Sequence, residues 1–160
     1  MADKDKVVVS GLTGLGVFVN TYTHSLDDKK RLTIPSDWRE LVGEPKCVIV
    51  LPGVSDPCLS VYPARETARR MEKLRNLSIA DDKGRRFART LASRADLVPW
   101  DAQGRIRIKD ELLASAGLTS EVVMVGAFEC FELWSPTSWK QQQSSVTPSG
   151  LGEAARYVGF

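Results

Sequence analysis

The chain has 160 residues, 42% of them hydrophobic, which is enough for one ordinary domain or for two small units sharing a core. Its net charge of +2 neither requires nor excludes nucleic acid, because a binding face needs local charge rather than a total. Three scattered cysteines, Cys47, Cys58 and Cys130, set among valines and leucines, exclude a disulfide framework and predict buried thiols, and no apolar run approaches the ~20 residues of a membrane span.

Residues 1–16 read as a cytoplasmic N-terminal extension with a short strand at Val7-Val8-Val9. Ser10, Gly11, Gly14 and Gly16 cut its apolar part, which is no secretory signal. A strand then leads to LDDKKRLTIP, positions 26–35. Asp27 opens a polar turn, and a second strand runs Arg31–Ile34 with period-two alternation. A short helix follows at Ser36–Leu41, with Ser36 to open it and Gly43 to close it. The apolar strand Val48–Leu51, a loop and a last strand ending at Tyr62 complete the first unit.

Between positions 64 and 93 the texture changes. Ala68, Met71, Leu74 and Leu77 recur near helical spacing among arginines, and a second helix is predicted from about Asp81 to Ala92, with Phe87 and Leu91 on one face. A strand over Arg94–Trp100 then introduces WDAQGRIRIK, positions 100–109, and a short helix at Lys109–Ala116 follows, with Asp110 to open it and Gly117 to close it.

This second phrase repeats the first. Asp27 superposes on Asp101, an offset of 74, which also aligns Arg31 with Arg105, Leu32 with Ile106, Ile34 with Ile108 and Gly43 with Gly117. After a two-residue indel, Cys58–Pro63 aligns with Cys130–Ser135. The expected organisation is an extension at 1–16, a first unit at 17–63, linking helices at 64–93, a second unit at 94–140, and a flexible tail at 141–160, whose first part, QQQSSVTPSG at 141–150, has almost no apolar side chains.

The repeated Asp-x-x-x-Arg has two compatible meanings. An aspartate before a tight turn accepts backbone N–H bonds, and the arginine four residues on can bridge back to its carboxylate as a staple or cross to a neighbouring unit. The same arginine, held at the rim of a sheet, can meet phosphates or guanine edges. Arg31 lies beside Lys29 and Lys30, whereas Arg105 lies beside Gln103 and Gly104, with Arg107 further along. Gly104 is suited to a positive φ. Chemistry of other kinds finds little support. His24 is the lone histidine and reads as an ordinary strand residue, no CxxC occurs, and the glycines at 11–16 lack the lysine of a phosphate-binding loop. Asp81 and Asp82 suit a helix N-terminus rather than a metal.

From about Val17 to Trp139 the chain resembles the MraZ family. The resemblance lies in Leu26-Asp27-x-Lys29-x-Arg31-Leu32-x-Ile34-Pro35, Arg39, Leu59-x-x-Tyr62-Pro63, Asp101-x-x-Gly104-Arg105-Ile106-x-Ile108, Ala116-Gly117-Leu118, Phe131-Glu132-Leu133-Trp134 and Trp139. It implies a mainly β, α+β fold: an internally duplicated, AbrB-like swapped-hairpin β-barrel with pseudo-two-fold symmetry. It further implies ring-shaped homo-oligomers, cytoplasmic and nucleoid-associated, that bind short direct repeats of double-stranded DNA upstream of the bacterial division and cell-wall gene cluster and repress it. Arg31, Arg105 and Lys29 carry over as DNA contacts, with Asp27 and Asp101 beside them; the residues add Lys30 and Arg107 as basic neighbours and Gly104 as the turn's support. No catalysis, cofactor, metal, membrane or small-molecule substrate is expected. Two departures stand out: Lys30 replaces the family's usual glycine, and residues 1–16 precede its usual start. The rival expectations are a non-catalytic interaction scaffold and an antitoxin-like AbrB relative.

Overall fold

The computed structural model describes residues 17–76 and 81–160. The expected strand at Val7–Val9, and Leu77 of the first linking helix, lie outside the described residues. Eight strands and six helices follow in chain order among those described: β1 (Thr21–Ser25), β2 (Arg31–Thr33), α1 (Ser36–Val42), β3 (Cys47–Pro52), β4 (Cys58–Pro63), α2 (Thr67–Arg75), α3 (Asp82–Arg94), β5 (Asp96–Pro99), β6 (Arg105–Arg107), α4 (Asp110–Ser115), β7 (Glu121–Gly126), β8 (Phe131–Trp134), α5 (Pro136–Ser144) and α6 (Pro148–Val158).

The repeat is visible in the topology. Six strands form one sheet in the order β1-β7-β8-β4-β3-β5, and β2 pairs with β6 in a separate two-stranded ribbon. Each unit lends its first strand to the other: β1 pairs with β7, and β5 pairs with β3. The registers obey the duplication. Tyr22 faces Met124 just as Asp96 faces Val50. The dyad passes between Ser60 and Glu132 in the sheet and between Leu32 and Ile106 in the ribbon. The architecture is therefore α+β, with duplicated topology and exchanged strands. The sheet ends at β1 and β5, so the described strands do not close into a hydrogen-bonded barrel.

One face of the sheet and the ribbon share a single core. Alternation along the strands sends Val48, Val50, Leu59, Val61, Val122 and Met124 inward, each fully buried. Leu32 and Ile106 meet them from the ribbon, both at 0% exposure. Burying each such side chain contributes about 1.5–3 kcal/mol. At one end Trp38 packs on Phe131 at 4.7 Å and edge-on to Phe18 and Tyr22, and its indole N–H donates to the Val19 carbonyl at 3.0 Å.

Several local expectations need correction. Ser36 and Asp110 stand inside their helices; Pro35 and Lys109 occupy the caps, with no side-chain cap bond. The prolyl and extended backbones already turn the chain into the helix, so no hydroxyl or carboxylate is required. Gly43 does end α1, at φ 65°. Asp81 caps α3, accepting from the Gly84 N–H at 3.0 Å, as its place before an acidic first turn implies. α2 forms where the helical spacing of Ala68 and Met71 predicts a helix, with both side chains exposed. The region read as a flexible tail is helical: Ser135 and Thr147 cap α5 and α6 through their hydroxyls, each followed by proline at the first turn. Composition concealed these caps. Of the three thiols, Cys58 and Cys130 are buried, but Cys47 is half-buried.

Candidate nucleic-acid interface

The ribbon brings the two Asp-x-x-x-Arg phrases side by side. In the first, Asp27 Oδ1 accepts the backbone N–H groups of Lys29 and Arg31, both at 2.9 Å. Its Oδ2 accepts from Arg31 Nε at 2.7 Å. In the second, Asp101 Oδ1 accepts from the N–H groups of Gln103 at 2.9 Å and Arg105 at 3.0 Å, while its Oδ2 binds Arg105 Nε at 2.8 Å. Each aspartate thus folds its own turn and fixes its own arginine. The staple reading of the motif is borne out at both copies.

The pairs also cross. Arg31 Nη1 lies 4.0 Å from Asp101 Oδ2, and Arg105 Nη1 lies 3.8 Å from Asp27 Oδ2. The four groups form a reciprocal square astride the dyad, with both arginine side chains 27% exposed. Hydrogen bonds from the Arg31 and Arg105 backbone N–H groups, then from their guanidinium groups, hold the carboxyls of Asp27 and Asp101 below the ordinary carboxylate range, outweighing the opposing effect of burial. Both stay ionised at neutral pH and keep the guanidinium planes oriented. Nε of each arginine serves its own aspartate, and Arg105 Nη2 also donates to Gln103 Oε1 at 3.1 Å.

The turns differ in one respect that sequence inspection anticipates only in part. Gly104 has φ 76°, and Lys30, its counterpart, is driven into the same left-handed region at φ 61°. Lys29 and Lys30 are exposed, as is Arg107, whose guanidinium donates to the Ile108 carbonyl at 3.1 Å. Register places Arg107 across from Arg31, and Thr33 across from Arg105. All five expected basic residues therefore reach one ribbon and its turns, but the positive charge gathers around the first turn. Arg39, singled out in the sequence only as part of a motif, lies against the second turn. It is found there because the antiparallel pairing of β2 with β6 places α1 beside Gly104.

The cysteines offer no competing chemistry. Burial, reinforced by the charge of Glu132, pushes the Cys58 thiol up to about 12. Burial also raises Cys130, and Cys47 is raised as well. None is an activated thiolate. No group of three or more metal-ligating side chains occurs among the described residues, and no helix among them is long and apolar enough to cross a membrane.

Comparison with known proteins agrees with the duplicated architecture. The MraZ protein family model, whose description adds an antitoxin-like label, matches twice, over residues 17–90 and 91–156. Among curated relatives, the transcriptional regulator MraZ of Thermomicrobium roseum is 38% identical over 140 residues, covering 88% of this chain and 96% of the relative. The protein of the same name from Clostridium acetobutylicum is 33% identical over 145 residues, covering 90% and 100%. That from Corynebacterium efficiens is 41% identical over 131 residues, covering 81% and 89%. With both halves matched by one family model and relatives aligned along nearly their whole length, the chain belongs to the MraZ family.

Proposed function

We propose that this chain is a non-catalytic, sequence-specific DNA-binding regulator, acting in the cytoplasm at the nucleoid. On this reading it represses the bacterial division and cell-wall gene cluster through short direct repeats. The observation that supports this most is the reciprocal Asp27–Arg31 and Asp101–Arg105 square, with two oriented and partly exposed guanidinium groups on one ribbon. An arginine fixed through Nε by a carboxylate loses little entropy on meeting a base edge or phosphate. Lys29, Lys30 and Arg107 add sequence-independent attraction.

One protomer makes few such contacts. A ring of copies facing tandem repeats would gain effective concentration at every further site. Assembly is supported by apolar surface left open in the single chain. An apolar groove of about 990 Å³ runs between the outer face of β3–β5 and helices α2 and α3, and Met71, Phe87 and Leu97 line it with 38%, 45% and 60% exposure. Because Phe87 is not part of the protomer's core, Phe87→Glu is expected to yield smaller species with an unchanged circular-dichroism spectrum. Wild-type protein of monomer mass in light scattering would remove the ring from the proposal.

Salt-dependent binding of the purified protein to its own upstream DNA, compared with shuffled DNA, tests the main reading. Expected is tighter binding to the native sequence, with affinity falling steeply as salt rises. Equal, weak binding to both sequences would sink it. A second reading, protein interaction alone, is favoured by α6, whose Leu151, Tyr157 and Val158 are all exposed. Native-sequence affinity that survives Arg31→Ala and Arg105→Ala together would remove the ribbon from the DNA site and favour the interaction reading.

A further inference from the structure

The two turns are not equally supplied with charge. Lys29 and Lys30 of the first correspond to Gln103 and Gly104 of the second, and Arg107 and Lys109 beside the first correspond to Thr33 and Pro35 beside the second. The antiparallel pairing of β2 with β6 decides which helix neighbours which turn. The Ile34 N–H donates to the Gly104 carbonyl at 2.9 Å, so α1 follows directly from the second turn's partner strand. The Ile108 N–H donates to the Lys30 carbonyl at 3.2 Å, which sets α4 beside the first.

At the offset of the repeat, Arg39 in α1 corresponds to Leu113 in α4. Leu113 is 5% exposed and belongs to the core. Arg39 instead lies across Gly104: a Cβ built there would fall 2.6 Å from Arg39 Cδ and 2.7 Å from Cζ. Only glycine leaves that space. Arg39 is half-buried, and no carboxylate among the described residues pairs with it within 4.0 Å. The cleft beside it holds Glu40, Glu44, Lys46 and Asp101. Both oxygens of Asp101 already serve the second turn and Arg105. Glu40 and Glu44 are exposed to water, where they bind a guanidinium weakly.

We propose that Arg39 is the cation the second turn lacks, making the cleft between Arg39 and Gly104 a backbone-phosphate subsite of the DNA surface. The inference rests on the DNA-binding reading. A guanidinium with no carboxylate partner is matched in shape and charge by a phosphodiester, which it grips through two parallel N–H bonds. The ribbon then carries phosphate-gripping cations at both ends, Lys29 and Lys30 at one and Arg39 at the other, with Arg31 and Arg105 between them.

The test compares the full-length protein with Arg39→Met and Arg39→Lys, on native and shuffled upstream DNA over a salt series. Met keeps an apolar stem over Gly104 and removes the charge. Arg39→Met is expected to weaken binding to both DNAs by a similar factor and to reduce the salt slope by about one, with Arg39→Lys restoring the slope. Wild-type slope and affinity in Arg39→Met would overturn the subsite. So would loss confined to thermal stability in both variants, which marks a packing role. In the wild type, bound DNA is expected to shield Arg39 from a guanidinium-modifying dicarbonyl reagent, read by mass spectrometry. Unchanged modification in the complex would overturn the subsite even if the variants fail to fold. Wild-type protein that binds neither DNA would overturn the parent reading, and the subsite with it.

Discussion

The two Asp-x-x-x-Arg turns make the same hydrogen bonds with different residues. Asp27 and Asp101 each accept two backbone N–H groups and one Nε, at distances that agree within 0.1 Å. Both turns need a residue in the left-handed region, and one supplies Gly104 where the other supplies Lys30. For an L-residue that conformation costs roughly 1–2 kcal/mol. The first turn accepts that strain and gains a cation on the ribbon surface. The second avoids it and leaves room for Arg39. The carboxylate staple therefore dictates the turn's shape, and the residue at the left-handed position decides where the charge goes.

The largest effects are expected at the arginines themselves. Arg31→Ala and Arg105→Ala should each weaken native-sequence DNA binding by about 1–3 kcal/mol and relax discrimination, with Arg31→Ala the more damaging because Lys29 and Lys30 surround it. Titrations at fixed salt give the order; a greater loss from Arg105→Ala would mean that flanking charge does not rank the turns.

Exchanging the left-handed residues sharpens the comparison. Gly104→Lys should destabilise the protein by roughly 1–2 kcal/mol from backbone conformation and displace the flexible Arg39 side chain that its Cβ would meet. Lys30→Gly should do the reverse to stability. A gain of about 1 kcal/mol corresponds to a rise of roughly 2–4 °C in thermal midpoint for a chain of this size. The same substitution should weaken binding to native and shuffled DNA alike and reduce the salt slope by about one. Scanning calorimetry and binding together check the opposed signs. A Lys30→Gly protein with an unchanged or lower midpoint would show that the lysine's conformation costs nothing.

The smallest effect is expected from acid. The carboxyls of Asp27 and Asp101 are held below their ordinary range, so the stability they contribute is complete above the unfolded value of about 3.9 and is lost as pH falls through the lower folded value. Asp27→Asn should flatten the acid limb of a midpoint-versus-pH curve below about pH 4 while lowering the plateau above it. An acid limb identical to that of the wild type would exclude Asp27 from the linkage.

The two halves also part in how the sheet's outer face is covered. After the first unit, α2 and α3 leave Met71 and Phe87 exposed beside the sheet's outer face. After the second, Trp139 of α5 packs on Trp134 at 5.5 Å and covers the corresponding region near Val123 and Cys58. The same sheet face is thus closed over one half and open over the other, which makes the open half the stronger candidate for contact between copies.

The residues alone determined the duplication, the strand alternation and the turn that each aspartate opens. Those features are local: period-two burial and a five-residue turn are set by sidedness and by hydrogen bonds within reach of one side chain. Glycine at position 104 announced its turn for the same reason, whereas lysine at position 30 hid the identical conformation. The two C-terminal helices were masked in another way, because capping by Ser135 and Thr147 outweighed a polar composition. Tertiary structure alone decided that β1 and β5 would change places, that Arg31 would approach Asp101 and Arg105 approach Asp27, and that Arg39 would rest on Gly104. The side-chain contacts join residues 65 to 78 positions apart. No local preference specifies them; they follow from the one arrangement that buries the inward faces of both units in a single core.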